Sequence, residues 1–110
     1  MTSKSLTTTK KEKPPLPLVH PGEVLRKEFL NPLGWSVNKL AASLRVPTQR
    51  INEIVRERRS ISADTALRLA QFFGTTPEFW INLQTFYDLR KASKENGALI
   101  QREIQALQSK

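Results

Sequence analysis

The segment from Ser36 to Arg59 constrains the fold of this chain more than any other stretch. Two short amphipathic stretches follow each other there, and only Arg45-Val46-Pro47 separates them. Ser36 is suited to cap a helix over 37–44, and a second helix is expected over 48–55. A connection this short makes the two helices meet at a sharp angle. Small and apolar side chains would hold the inner faces together: Leu40, Ala41, Leu44, Val46, Ile51 and Ile54.

Two helices joined in this way form a helix-turn-helix, whose second helix enters the major groove in proteins that bind DNA. The outer face of the second helix carries amide and guanidinium groups, which can pair with adenine and guanine. Between Lys39 and Arg59 there are six basic and two acidic residues, and Arg56, Arg58 and Arg59 follow the second helix directly. A polar face alone is also typical of any solvated helical bundle, but the spacing, the turn and the basic cluster together favour DNA.

Further helices are expected on both sides of this motif, and no strand pattern is visible. Local signals mark their ends: Pro21 and Gly34 for a first helix, Ser62 and Gly74 for a fourth, and Thr76-Pro77 for the start of a fifth. The dipeptide Asn96-Gly97 should weaken or break the fifth helix, and one more helix could follow over 98–107. The expected fold is therefore all-α.

The domain organisation follows from shifts in composition. Residues 1–19 are expected to be a disordered basic tail, because they combine prolines and lysines with almost nothing to bury. Residues 20–92 are expected to form one five-helix domain, and residues 93–110 a helical C-terminal extension. The lysines of the tail could follow a DNA backbone or fold onto a partner.

Composition and residue patterns exclude several classes of protein. The formal charge of +8 favours a polyanionic partner, and the absence of cysteine suits a reducing cytoplasm. The single histidine, His20, has no companion ligands and is expected to be exposed, so neither a metal nor a cofactor is expected. The carboxylates are scattered and no phosphate loop or nucleophile motif is present, so the chain is not expected to be an enzyme. No membrane partner is expected, since no apolar run reaches membrane-spanning length and the polar N-terminus lacks a secretory signal.

Large apolar residues on the fifth helix raise the question of assembly. Trp80, Leu83 and Tyr87 could complete the core or could form part of a dimer seam. A small bundle has little room for all the aromatic residues of this helix, so the seam is favoured and a homodimer is expected.

Two stretches of the sequence resemble a known family: "HPGEVLRKEFLNPLGWSVNKLAASLRVP" and "RINEIVRERRSISADTALRLAQFFGTTPEFWINLQTFYDL". Over about His20 to Ala92 the chain is similar to the lambda-repressor-like (Cro/CI, XRE) helix-turn-helix class, and within it to the HigA antitoxins. The ending "TTPEFWINLQ…YDL" is more specific than a generic helix-turn-helix. The resemblance implies a five-helix lambda-repressor-like domain, dimer formation, operator binding and neutralisation of a HigB-type toxin that cleaves mRNA on ribosomes.

The resemblance also implies roles for individual residues. Phosphate-contacting positions fall on Ser36 and Lys39, and on Arg56, Arg58 and Arg59 in the loop after the second helix of the motif. Many members of the family have a glycine near position 57, where this chain has Glu57. The base-contacting positions fall on Thr48, Gln49, Arg50, Asn52 and Glu53.

The leading hypothesis is therefore a bacterial repressor that acts on the nucleoid in the cytoplasm as a homodimer. Its partners would be double-stranded operator DNA and a small basic RNase toxin, and the toxin rests on the resemblance alone. One alternative is an orphan regulator of the same fold without a toxin. Another is a protein-interaction module whose outer helix face binds protein.

Overall fold

The computed structural model describes residues 18–108 and shows five helices and no β-strand within them. The first, α1, consists of three consecutive pieces: Pro21–Val24, the π-helical Leu25–Leu30, and Asn31–Leu33. The others are α2 (Val37–Leu44), α3 (Thr48–Val55), α4 (Ala63–Phe73) and α5 (Pro77–Glu103). The all-α prediction is confirmed. The predicted disordered tail falls, up to residue 17, outside the described residues.

The predicted helix starts are confirmed by side-chain caps. The hydroxyl of Ser36 accepts a hydrogen bond from the backbone N–H of Lys39 at 3.1 Å, and Ser62 and Thr76 cap α4 and α5 in the same way. Each cap satisfies one of the N–H groups that a helix N-terminus leaves unpaired. Gly74 ends α4 with φ of 76°, a left-handed conformation that glycine adopts without steric cost.

The core forms around the inner faces of α2 and α3. Leu40 and Ala41 of α2 and Ile51 and Ile54 of α3 are fully buried. The turn between the two helices depends on Arg45, which has φ of 61°, and the next N–H returns to the Ala41 carbonyl at 3.1 Å. This is the helix-turn-helix that the sequence predicts, and α3 is its second helix.

Helix α1 packs on α3 at unusually close range. A Cβ atom at Gly22 would lie 1.8 Å from the backbone oxygen of Ile54, so only glycine fits between the two helices. The guanidinium of Arg26, one turn further along α1, donates a hydrogen bond to the carbonyl of Val55 at the C-terminus of α3. A cation at this end of a helix also interacts favourably with the helix dipole. Helix α1 therefore holds α3 in place on its buried side.

Helix α5 differs from the sequence-based prediction. It runs without interruption from Pro77 to Glu103, so the break expected at Asn96-Gly97 does not occur. One glycine in a helix interior costs only about 1 kcal/mol relative to alanine, and the residues on both sides favour a helix. The separate helix expected over 98–107 does not form, because residues 98–103 are the end of α5 and residues 104–108 are not helical.

The structure corrects the role expected for Trp80. Its side chain is fully buried, its indole N–H donates to the Thr75 hydroxyl at 2.8 Å, and its ring packs 5.0 Å from that of Phe29. Trp80 is therefore a core residue and does not form part of a dimer seam. Leu83 is partly buried against the same core, and Tyr87 is partly buried further along α5.

His20 also differs from its prediction, because only 3% of it is exposed. Its Nδ1 atom accepts a hydrogen bond from the Gly22 N–H at 2.9 Å and caps α1, and its ring packs edge-on against Tyr87. Burial lowers the pKa of His20 below its ordinary value, while the negative charges of Glu57 and Asp88 oppose that effect. The neutral ring is therefore the form that the fold favours.

Two helical glycines provide a matched test of the α1–α3 contact. Gly22→Ala should lower the free energy of unfolding by about 2 kcal/mol or more, because the added methyl group collides with the backbone of α3. Gly97→Ala should raise it by up to about 1 kcal/mol, since its new Cβ meets only the movable Ser93 side chain. Urea denaturation of both variants measures the two effects. Equal behaviour of the two variants would contradict this account of the contact.

Candidate nucleic-acid interface

The outer face of α3 carries the predicted base-contacting residues. Ile51, Ile54 and Val55 face the core, so the remaining positions of the helix face away from it. Thr48 and Gln49 at the N-terminal end are exposed, and three further side chains on this face are partly exposed: Arg50, Asn52 and Glu53. The N-terminal end of a second helix of this kind is the part that contacts base edges in the major groove.

The carboxylate of Glu53 contacts one predicted base-contacting residue, Gln49, and one predicted phosphate-contacting residue, Arg59. The amide nitrogen of Gln49 donates to one carboxylate oxygen at 3.0 Å, and Nε of Arg59 forms an ion pair with the other at 2.9 Å. Glu53 therefore connects the N-terminal end of α3 with the basic loop that follows the helix. The spacing of Gln49 and Glu53 by four residues puts them on one helix face, but nothing in the sequence indicates the contact with Arg59.

Arg50 is held by a residue that the sequence analysis did not single out. Nη1 of Arg50 and Nε of Arg68 each lie 2.9 Å from the same oxygen of Asp64, in the first turn of α4. These two arginines lower the pKa of the Asp64 carboxyl, with the hydrogen bond from Arg68 the larger cause and that from Arg50 the next. Arg68 also donates to the carbonyl of Leu44 at 2.9 Å, which ties the network to the end of α2.

The predicted phosphate-contacting residues lie on two separate segments. Arg56, Arg58 and Arg59 are all exposed in the loop after α3. Ser36 and Lys39 lie at the N-terminus of α2, where Ser36 caps the helix and the Lys39 ammonium group lies 4.3 Å from the Trp35 ring centroid. Exposed arginine and lysine side chains at a helix N-terminus and an adjacent loop can bind anionic phosphate groups.

The loop after α3 is fixed at both ends. At its start Glu57 adopts φ of 63°, and its carboxylate pairs with Arg26 of α1 at 3.5 Å. At its end the N–H of Ile61 donates to the buried side chain of Gln84 in α5 at 2.8 Å. The left-handed conformation explains why a glycine suits position 57, and the sequence offered no signal for the roles of Arg26 or Gln84.

Within residues 18–108 no helix has the length and hydropathy needed to cross a membrane. Across the same range no three side chains of the metal-ligating types lie close enough together to hold a metal ion.

Comparison with known proteins gives consistent matches. A helix-turn-helix family model matches residues 27–80. Virulence-associated protein I of Dichelobacter nodosus is 51% identical over 84 residues, which cover 76% of this chain and 78% of that protein. Antitoxin HigA-1 of Vibrio cholerae is 37% identical over 68 residues, or 62% of this chain and 64% of that protein.

Solved structures narrow the assignment. The Pseudomonas aeruginosa antitoxin HigA with the higBA promoter is similar with a TM-score of 0.81 and 47% identity, over 84% of this chain and 100% of that one. The chain belongs to the lambda-repressor-like helix-turn-helix family, in the group of the HigA antitoxins. The antitoxin GraA in complex with its operator gives a TM-score of 0.82 at 47% identity, over 88% and 98% of the two chains. The family comprises DNA-binding regulators and antitoxins, so the prediction that this member is not an enzyme is confirmed.

The left-handed backbone conformation at Glu57 should lower the stability of the protein. Glu57→Gly should raise the free energy of unfolding by about 1 kcal/mol, because a left-handed conformation costs a residue with a Cβ roughly that amount. Glu57→Ala is the matched control, since it removes the exposed pair with Arg26 but keeps the Cβ. It should leave stability unchanged or slightly lower, because exposed ion pairs contribute little. Thermal melts that show equal losses in both variants would mean that the ion pair outweighs the backbone strain.

Proposed function

We propose that this chain is a sequence-specific DNA-binding repressor that binds its own operator and acts as the antitoxin of a toxin-antitoxin pair. The observation that carries the proposal is the outer face of α3, where five polar side chains project from a helix whose inner face is buried. Two relatives at 47% identity, HigA and GraA, are described with a promoter and with an operator. The chain acts in the bacterial cytoplasm, on the nucleoid.

In the proposed mechanism, α3 enters the major groove and α2 crosses the phosphate backbone. Thr48, Gln49, Arg50 and Asn52 face the base edges, where a glutamine or asparagine amide pairs with adenine and an arginine with guanine. The phosphates are bound by exposed cations and by the N-terminus of α2: Ser36, Lys39, Arg56, Arg58 and Arg59. The phosphate contacts set affinity and position, and the base contacts set sequence preference.

The protein is proposed to act as a homodimer, because two half-sites one DNA turn apart need two linked recognition helices. Trp80 belongs to the core, so the proposed dimer seam consists of exposed apolar side chains of α5 that lie beside Leu83 and Tyr87. Phe86 is 53% exposed and Leu89 is 63% exposed. A second copy of α5 would cover them and would also stabilise the second half of this helix, whose side chains are mostly exposed.

The toxin partner is proposed from family membership, since a similar protein carries the name Antitoxin HigA-1. The alternative of a regulator without a toxin is supported by other relatives, among them YbaQ of Escherichia coli, an uncharacterised transcriptional regulator that is 37% identical. Copurification of this chain with a small basic RNase encoded by a neighbouring reading frame would support the toxin partner. The absence of such a reading frame would support the regulator without a toxin.

Fluorescence-anisotropy titration with duplexes from upstream of the gene tests the DNA-binding proposal. The protein should bind one such duplex about a thousandfold more tightly than a scrambled duplex at one fixed salt concentration. Replacement of Arg56, Arg58 or Arg59 by Ala should weaken binding to both duplexes alike and lower the salt slope by about one unit. Arg102→Ala, at the far end of α5, should leave the slope unchanged. Equal affinity of the protein for both duplexes would overturn the proposal.

The proposed dimer seam has its own test in two exposed leucines. Leu89→Glu should give a folded monomer with weak operator binding, because the charge prevents two copies of α5 from packing. Leu33→Glu, at the end of α1 with 55% exposure, is the control and should remain dimeric. Light scattering at several concentrations measures the mass of each variant. A dimer of unchanged mass in Leu89→Glu would place the seam elsewhere.

A further inference from the structure

A carboxylate among the DNA-facing side chains needs an explanation, since DNA phosphates repel it. Glu53 lies on the outer face of α3, and 31% of its side chain is exposed. Family resemblance implies a base-contacting role for Glu53, and a glutamate can accept a hydrogen bond from cytosine N4 in the major groove. In the structure, however, both of its carboxylate oxygens are already engaged by other protein groups.

The contact with Gln49 fixes the orientation of an amide. A carboxylate only accepts hydrogen bonds, so the Gln49 amide must turn its nitrogen towards Glu53, where the two atoms lie 3.0 Å apart. One N–H of Gln49 is used in this way. The second N–H and the amide oxygen stay available, and adenine N7 and N6–H require these two groups.

The contact with Arg59 likewise uses only part of the guanidinium group. Nε of Arg59 lies 2.9 Å from the other oxygen of Glu53 and forms an ion pair with it. The two terminal nitrogens of the guanidinium stay available, and they can donate together to a phosphate. One carboxylate thus contacts a predicted base-contacting residue and a predicted phosphate-contacting residue, and also offsets part of the local positive charge.

We propose that Glu53 is a positioning residue and does not contact a base: its carboxylate orients the Gln49 amide and the Arg59 guanidinium for DNA. The inference rests on the proposed function. The effect of Glu53 on sequence preference therefore falls on the base pair that Gln49 contacts.

The experiment compares base-pair preferences. Wild type, Gln49→Ala, Glu53→Ala and the double variant are titrated against the operator duplex and against duplexes with each base pair changed in turn. Gln49→Ala should reduce the preference at one base pair by about fivefold or more. Glu53→Ala should reduce the preference at that same base pair and should add less than about twofold in the double variant, because residues that act through one another are not additive.

Two conservative variants act as controls. Glu53→Gln keeps the length of the side chain and one acceptor oxygen, so it should retain more of the preference than Glu53→Ala does. Glu57→Gln removes a neighbouring negative charge without touching Gln49 or Arg59. It should raise affinity for scrambled DNA more than the Glu53 variants do, because it removes a negative charge and leaves Arg59 oriented, and the base-pair preferences should stay unchanged.

The outcomes separate this inference from the proposed function. Loss of preference in Glu53→Ala at a base pair that Gln49→Ala leaves intact would overturn the positioning role and make Glu53 a base-contacting residue. Full multiplication of the two losses in the double variant would overturn it as well. A wild-type protein with no preference for any duplex would instead overturn the proposed function, before any variant is measured.

Discussion

The burial of the inner face of α3 is the constraint on which the rest of the structure depends. Ile51 and Ile54 are fully buried, and α1 approaches so closely that the backbone of Gly22 lies against the carbonyl of Ile54. Close-packed interiors leave little freedom to rotate a helix. With α3 fixed in this way, the direction of each outer side chain is fixed as well. A rigid element is what a base-contacting surface requires, because a misplaced donor cannot form its bonds.

Hydrogen bonds and ion pairs with acidic groups then order the outer side chains. Glu53 contacts Gln49 and Arg59, and Asp64 contacts Arg50, so the free protein already restrains long flexible side chains that the proposed DNA complex would otherwise have to order. Ordering such side chains on binding costs about 0.5–1.5 kcal/mol each. The acidic groups also repel phosphates, and the net charge of +8 outweighs that repulsion over longer distances.

The sequence predicted the features that depend on local chemistry. The caps at Ser36, Ser62 and Thr76 and the sharp turn before Thr48 are determined by neighbouring residues, so they could be predicted. Tertiary features could not. The buried positions of His20 and Trp80 depend on helices that are distant in sequence, and the ion pair of Arg50 with Asp64 spans 14 residues. Asn96-Gly97, which was expected to weaken or break the fifth helix, does not interrupt it, because one glycine costs only about 1 kcal/mol in a helix interior.

The proposed DNA contacts lie on the outer face of α3, at the N-terminus of α2 and in the loop after α3. Nuclear magnetic resonance of the ¹⁵N-labelled protein, titrated with its operator duplex, detects these contacts residue by residue. We expect the largest shifts of backbone amide signals within residues 48–53, 36–39 and 56–60, while those of the second half of α5 should change little. Shifts concentrated in α5, with the amides of α3 unchanged, would contradict the proposed contacts.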